Sequence, residues 1–205
     1  MKKKILVEVP HFAPYRDDVF RRLQGHYGYQ LLFVITEGNK SHPEWQYYVK
    51  DFKYIKGTSK IKFGRLGCHY RILGKVLKEF RPDIVMFYGE LIELLFCRIR
   101  YRRMRIIYVA DTSKPGKNAD RFWNRIALKF LYNLADGIYV PGKKAMEYFG
   151  TYVVDNKIRM GCYTDSVKRL KKRAEQYKRQ ELRKKYAINE NSYVFLFVGK
   201  LIETR

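Results

Sequence analysis

Acidic side chains are scarce in this chain: 20 Asp and Glu stand against 43 Lys and Arg, a formal charge of +23. That imbalance excludes a cationic partner and points to an anionic one, whether nucleic acid, lipid headgroup or phosphorylated substrate. Cysteine is almost absent. Cys68, Cys97 and Cys162 are odd in number, far apart and lack a Cys-x-x-Cys pair. This excludes a disulfide scaffold or a thiolate zinc site, and each reads as a small buried hydrophobe in a reducing compartment. The four histidines, His11, His26, His42 and His69, show no metal-ligand spacing, so no metal is expected. No apolar run approaches the roughly 18 residues of a membrane span. Residues 5–9 follow three lysines as a signal sequence would, but Glu8 and Pro10 interrupt them, and they read as a strand. There is no Gly-x-Gly-x-x-Gly and no P-loop, which argues against bound dinucleotide or ATP.

What is present is regular alternation. At 205 residues and 46% hydrophobic content, the chain can build one complete domain and a little more. Apolar, β-rich runs at 4–9, 30–35, 84–88, 106–109 and 137–140 predict strands. Residues 17–23, 68–80, 91–99, 122–134 and 143–149 predict helices, with 40–54 irregular or forming one edge strand. In the fourth of these, Phe122, Ile126, Phe130 and Leu134 share a face at helical spacing. Strands alternating with helices predict βαβ crossovers, hence an α/β, Rossmann-like parallel sheet with helices on both faces.

The charge is concentrated in two places. Arg98, Arg100, Arg102, Arg103 and Arg105 follow the apolar run 94–97, and residues 166–185 hold ten basic and two acidic side chains. The second stretch predicts a basic helix with Val167, Leu170, Ala174 and Tyr177 as an apolar stripe. Residues 193–198 are almost wholly apolar before Gly199, as in a strand buried on both faces of a parallel sheet. The expected organisation is therefore a Rossmann-like domain over 1–165, a basic helix and crossing segment over 166–190, and the first strand and glycine turn of a further domain over 191–205.

Parallel sheets bind ligands beyond the carboxyl ends of their strands. The segments there are residues 10–16 (with His11, Tyr15 and Arg16), Gly89-Glu90, residues 110–117 (with Asp111, Thr112 and Ser113), and Pro141-Gly142-Lys143-Lys144. Gly, Pro, hydroxyls and mixed charge in these loops suit a polar substrate. A bland reading stands beside each residue. Tyr15 and Arg16 could simply pack the first helix, Glu90 could favour a helix dipole, and Asp111 could bond within its own loop.

Several phrases occur in a telling order. Arg81-Pro-Asp-Ile-Val, Ala135-Asp-Gly-Ile-Tyr-Val-Pro-Gly-Lys-Lys-Ala-Met-Glu-Tyr-Phe, Asn156-Lys-Ile with Tyr163-Thr-Asp, and Val194-Phe-Leu-Phe-Val-Gly-Lys-Leu-Ile-Glu run through the chain. Together they resemble the N-terminal, acceptor-binding domain of GT-B glycosyltransferases of family 4 (group 1 type), cut at the start of the C-terminal domain. The resemblance implies retaining, metal-independent transfer of a sugar from a nucleotide-sugar donor to an acceptor hydroxyl. Surface polysaccharide or lipid-linked glycan synthesis in bacteria is the setting it implies. No cofactor is implied beyond the nucleotide-sugar, which is a substrate.

By the same resemblance, Tyr15, Arg16, Glu90, Thr112 and Lys143 would contact the acceptor. Asp111 stands where many members carry a histidine near the reacting sugar, a departure that leaves its catalytic role open. Gly199 and Lys200 fall on the pair that holds the donor diphosphate, and Arg205 lies one short of the usual lysine. Charge building on a leaving diphosphate needs such groups; with most of them missing, negligible transferase activity is expected of this chain alone. The two basic clusters, 98–105 and 166–185, suggest a cytoplasmic enzyme peripheral to an anionic membrane, at roughly 1 kcal/mol per basic residue. Two other readings remain. One is a basic nucleic-acid-binding module, which no RNP, helix-turn-helix or zinc signature favours. The other is a stand-alone acceptor-binding subunit of a split transferase.

Overall fold

The computed structural model describes residues 2–36, 51–57, 61–63, 66–68, 70–88, 91–110, 122–161 and 167–196. Strands β1 (Lys4–Val9), β2 (Gln30–Ile35), β3 (Tyr54–Lys56), β4 (Ile61–Phe63), β5 (Leu66–Cys68), β6 (Ile84–Phe87), β7 (Arg105–Val109), β8 (Gly137–Val140) and β9 (Ile158–Met160) alternate with helices. The helices are α1 (Asp17–Gly25), α2 (Tyr70–Phe80), α3 (Leu91–Arg100), α4 (Phe122–Asn133), α5 (Lys143–Gly150), α6 (Val167–Ala174) and α7 (Arg179–Lys185). Seven strands form one sheet in the order β3-β2-β1-β6-β7-β8-β9, and every pairing in it is parallel. The fold is Rossmann-like α/β. β4 and β5 pair antiparallel as a separate two-stranded ribbon.

Burial follows strand periodicity. On β1 and β2, Ile5, Val7, Val9, Leu31, Phe33 and Ile35 enter the core beneath α1, whereas Leu6, Leu32 and Val34 enter the core on the opposite face. Both faces are covered, which is why β1 reads as a nearly unbroken apolar run. The α1 side is aromatic: Phe33 meets Phe20, Phe52 and Phe12 edge-on with ring centroids 4.9, 5.1 and 5.3 Å away. On the other side, Tyr132 meets Phe149 at 4.9 Å and Tyr152 at 5.5 Å, with Tyr108 at 5.6 Å. Fully burying each such ring is worth about 1.5–3 kcal/mol.

Some elements depart from expectation. Helix α2 begins at Tyr70, because Cys68 belongs to the β4–β5 ribbon. Strand β9 is three residues long, too short for a periodic signal, and is held by register with β8 and by Gly161 N–H donating to Val140 O at 3.0 Å. The Phe122, Ile126, Phe130 stripe of α4 does not face the core: the three are 69%, 47% and 57% exposed. That helix carries a second apolar edge, and its buried Tyr132, with Leu128 partly buried, docks on the Tyr108–Phe149 cluster instead.

The chain divides into two compact units, 1–165 and 166–205. In the second, the basic stretch forms two helices, α6 and α7, with a break where Lys178 takes an extended backbone. Crowded like charges at three- and four-residue spacing weaken one continuous helix. Residues 192–196 are exposed and take no strand pairing among the described residues. The Arg183 guanidinium donates to the carbonyls of Asn189, Glu190 and Ser192, tying that segment to α7.

Burial pushes the Tyr132 phenol upward, with help from Tyr108 and Tyr152. Burial likewise raises Tyr148, and neighbouring Tyr152 and Tyr132 add to it. A folded-state pKa above the unfolded value of about 10 gives stability that is complete below pH 10 and lost as pH rises beyond it. Urea midpoints measured from pH 8 to 11 should therefore stay level and then fall, more shallowly in the Tyr132→Phe/Tyr148→Phe variant. Phe149→Ala should cost about 3–5 kcal/mol of unfolding free energy in the same titration.

Candidate active site

The chain runs β1, β2, β3 outward in one direction and returns to place β6 on the other side of β1. The order therefore reverses between β1 and β6, and the carboxyl ends of these two strands frame the crevice where ligands enter such sheets.

The loop after β1 is anchored from below. Phe12 is 1% exposed and packs into the Phe20–Phe33–Phe52 cluster, and Ala13 beside it is fully buried. A short 3-10 turn over Pro14–Arg16 follows, closed by Arg16 N–H donating to Ala13 O at 3.0 Å. This turn brings the Arg16 guanidinium over the ring of Tyr88, 4.2 Å from its centroid, and within 5.3 Å of the Tyr15 ring. Tyr88 follows β6 directly, and its N–H donates to Glu8 O at 3.1 Å. A cation held between two phenol rings thus bridges the two strand ends of the crevice. Arg16 is itself buried, so its contact with the rings is largely desolvated, the condition in which such contacts reach about 2 kcal/mol or more.

The other face of the sheet carries a polar pair at the same end. Glu8 is buried on the side of Leu6, and its Oε1 accepts from Thr36 Oγ1 at 3.2 Å. Thr36 N–H donates to Val9 O at 3.0 Å, so the ends of β1 and β2 are locked together. Beneath α1, Arg21 forms ion pairs with Asp17 at 2.9 Å and with Asp51, fixing the helix that starts at the crevice.

Of the residues the sequence singled out, Tyr15 and Arg16 come together at the crevice. Lys143 and Lys144 lie exposed at the start of α5, after β8, two strand positions from β6 and so about 10 Å along the sheet. Asp111, Thr112, Glu90, Gly199, Lys200 and Arg205 lie outside the described residues. Sequence reasoning missed Tyr88 and Glu8. Tyr88 was counted as the end of a strand, and Glu8 sits inside an apolar run; a carboxylate in a strand buried on both faces is the signal that could have found it. Among the described residues no three His, Cys, Asp or Glu side chains gather as a metal site, and no helix is long and apolar enough to cross a membrane.

Arg16→Ala should lower stability by about 2 kcal/mol, and Arg16→Lys should recover little of it, because a point charge does not replace a stacked planar guanidinium. Guanidinium chloride unfolding of the three proteins would measure both.

No family model matches this sequence, and no curated protein matches it. Solved structures do. A glycosyltransferase from Rickettsia africae aligns over 93% of this chain and 51% of its own, with 12% identity and a TM-score of 0.58. UDP-GlcNAc 2-epimerase from Neisseria meningitidis, bound to UDP-GlcNAc, aligns over 94% of this chain and 56% of its own, with 17% identity and a TM-score of 0.58. The lipopolysaccharide outer core galactosyltransferase WaaB aligns over 78% of this chain and 44% of its own, with 17% identity and a TM-score of 0.52. The chain spans about half the length of these proteins, and the likeness is one of fold: the Rossmann-like α/β arrangement of GT-B glycosyltransferase-like proteins.

Proposed function

We propose that this chain is the acceptor-binding half of a sugar transferase that draws on a nucleotide-sugar donor, with a hydroxyl-bearing glycan or glycolipid as acceptor. The observation that carries the reading is Arg16 stacked over Tyr88 at the β1/β6 crevice. The fold shared with glycosyltransferases and UDP-sugar epimerases supports it, as do the ordered phrases of the sequence. Sugar rings combine apolar C–H faces with hydroxyl edges. Tyr15, half-buried beside Arg16, offers a ring face for the first and a phenol for the second. Arg16 keeps Tyr15 and Tyr88 oriented and holds positive potential in a site of low dielectric. Glu8 and Thr36 keep the strand ends rigid, and that rigidity is what positioning an acceptor hydroxyl requires.

Retaining stereochemistry, independence of metal and a role in surface polysaccharide synthesis are parts of the same proposal, resting on the sequence phrases. In it Glu90, Thr112 and Lys143 contact the acceptor, Gly199, Lys200 and Arg205 meet the donor diphosphate, and Asp111 stands near the reacting sugar. The basic surface suits an acceptor presented at an anionic membrane.

Glycan-array binding by this chain tests the reading. Retention of a defined set of glycans is expected, weakened at least tenfold by Tyr15→Ala, with only background turnover of UDP-sugars by the chain alone. Retention of DNA at physiological salt without any glycan retention would instead identify a nucleic-acid module. An epimerase would interconvert UDP-sugars without any acceptor.

A further inference from the structure

The opposite end of the sheet, about 20 Å from the crevice across the length of a strand, carries a cavity. There α3 ends and the chain turns back through residues 101–104 into β7. Tyr101 N–H donates to Cys97 O at 2.8 Å and Met104 N–H to Tyr101 O at 3.2 Å. The Tyr101 hydroxyl donates to Gly74 O at 3.3 Å and so pins this turn against α2. The end of α2 and the segment Arg81–Asp83 form the other wall. Between them lies a groove of about 800 Å³, within the range of small-molecule sites.

Its charge is one-sided. Lys78, Arg81, Arg100, Arg102 and Arg103 line it, all exposed, and none forms an ion pair among the described residues. The one acid in the lining, Asp83, is engaged: its Oδ2 accepts from the backbone N–H of Lys4 at 2.8 Å. The arginine run picked out in the sequence is thus sorted by the fold. Arg98 is spent on structure, bonding Leu134 O at 2.7 Å and Asp136 at 2.7 Å. Arg100, Arg102 and Arg103 are left facing the groove. Arg81 adds a second sign. Its φ is 49°, a left-handed conformation that favours glycine and costs an L-residue about 1–2 kcal/mol. A cation is held there at the expense of backbone strain. Beside these charges stand Ile99, 67% exposed, and the half-buried Tyr101 ring.

We propose that this groove binds a phosphate ester. Its phosphate lies among Arg81, Arg100, Arg102 and Arg103, and its planar or apolar part lies against Tyr101 and Ile99. Clustered cations repel one another, and a bound phosphate removes that cost while accepting paired guanidinium hydrogen bonds. The site shares no residue with the β1/β6 crevice and stands or falls independently of the transferase reading.

Calorimetric titration with ADP and co-sedimentation with phosphatidylglycerol vesicles, each at 50 and 150 mM salt, test it. The proteins compared are the wild type, Arg102→Ala/Arg103→Ala, and Lys53→Ala/Lys56→Ala, which loses equal charge at the far edge of the sheet. Binding of either probe, weakened at least tenfold by the first variant and less than twofold by the second, is the expected result. Binding of ADP would identify a soluble phosphate ester, and binding of vesicles alone a lipid headgroup. Equal weakening in both variants, no effect of the first, or failure of the wild type to bind either probe would overturn the proposal.

Discussion

The burial of Phe12 against Phe20, Phe33 and Phe52 is the contact on which the crevice depends. Phe12 belongs to the loop and not to a strand, yet its ring is as inaccessible as those of the core it enters. A loop tethered only by its ends would leave Tyr15 and Arg16 free to sample many positions, at a cost of about 1–2 kcal/mol per residue to order them on ligand binding. Here folding itself meets that cost, and the 3-10 turn after Phe12 aims Arg16 at Tyr88 before any ligand arrives. The ion pairs from Arg21 to Asp17 and Asp51 brace the same corner, since Arg21 also lies 5.5 Å from the Phe52 ring centroid.

The two ends of the sheet differ in kind. At the carboxyl ends Glu8 and Arg16 are buried, and what a ligand meets is shape and aromatic surface with one stacked cation. At the amino ends the cations point outward with little to neutralise them. A single count of net charge merges these two environments. The fold separates them by spending Arg98 on the end of α4 and leaving its neighbours in sequence unspent.

Much of the architecture was legible in the sequence because buried parallel strands write themselves as apolar runs. β1, β2, β6, β7 and β8 each showed that pattern, and their alternation with helices implied the parallel sheet. Elements without a periodic signal were not legible. β9 has three residues, β4 and β5 three each, and their pairing rests on partners distant or opposed in direction. The orientation of α4 was not legible for a different reason. It has two apolar edges, and only the fit of Tyr132 among Tyr108, Phe149 and Tyr152 decides which one is buried. At the site, Tyr15 and Arg16 were visible as polar residues after a strand. Tyr88 and Glu8 were not, because each was absorbed into an apolar run whose chemistry becomes apparent only when strand order is known.

Placing β1 inside the sheet, between β2 and β6, has a consequence for how the chain acquires its structure. Of these strands β1 is synthesised first, yet one of its two partners is β6: Lys4 bonds Asp83, 79 positions later. At about 5–20 residues per second on the ribosome, β1 waits roughly 4–16 seconds for that partner. During the wait its apolar edge is covered on the β2 side alone. Parallel sheets of high contact order fold slowly for this reason, and their unpaired edges are where misassociation begins. Yield of folded protein should therefore respond more to the pace of translation through residues 36–83 than to the final stability of the sheet.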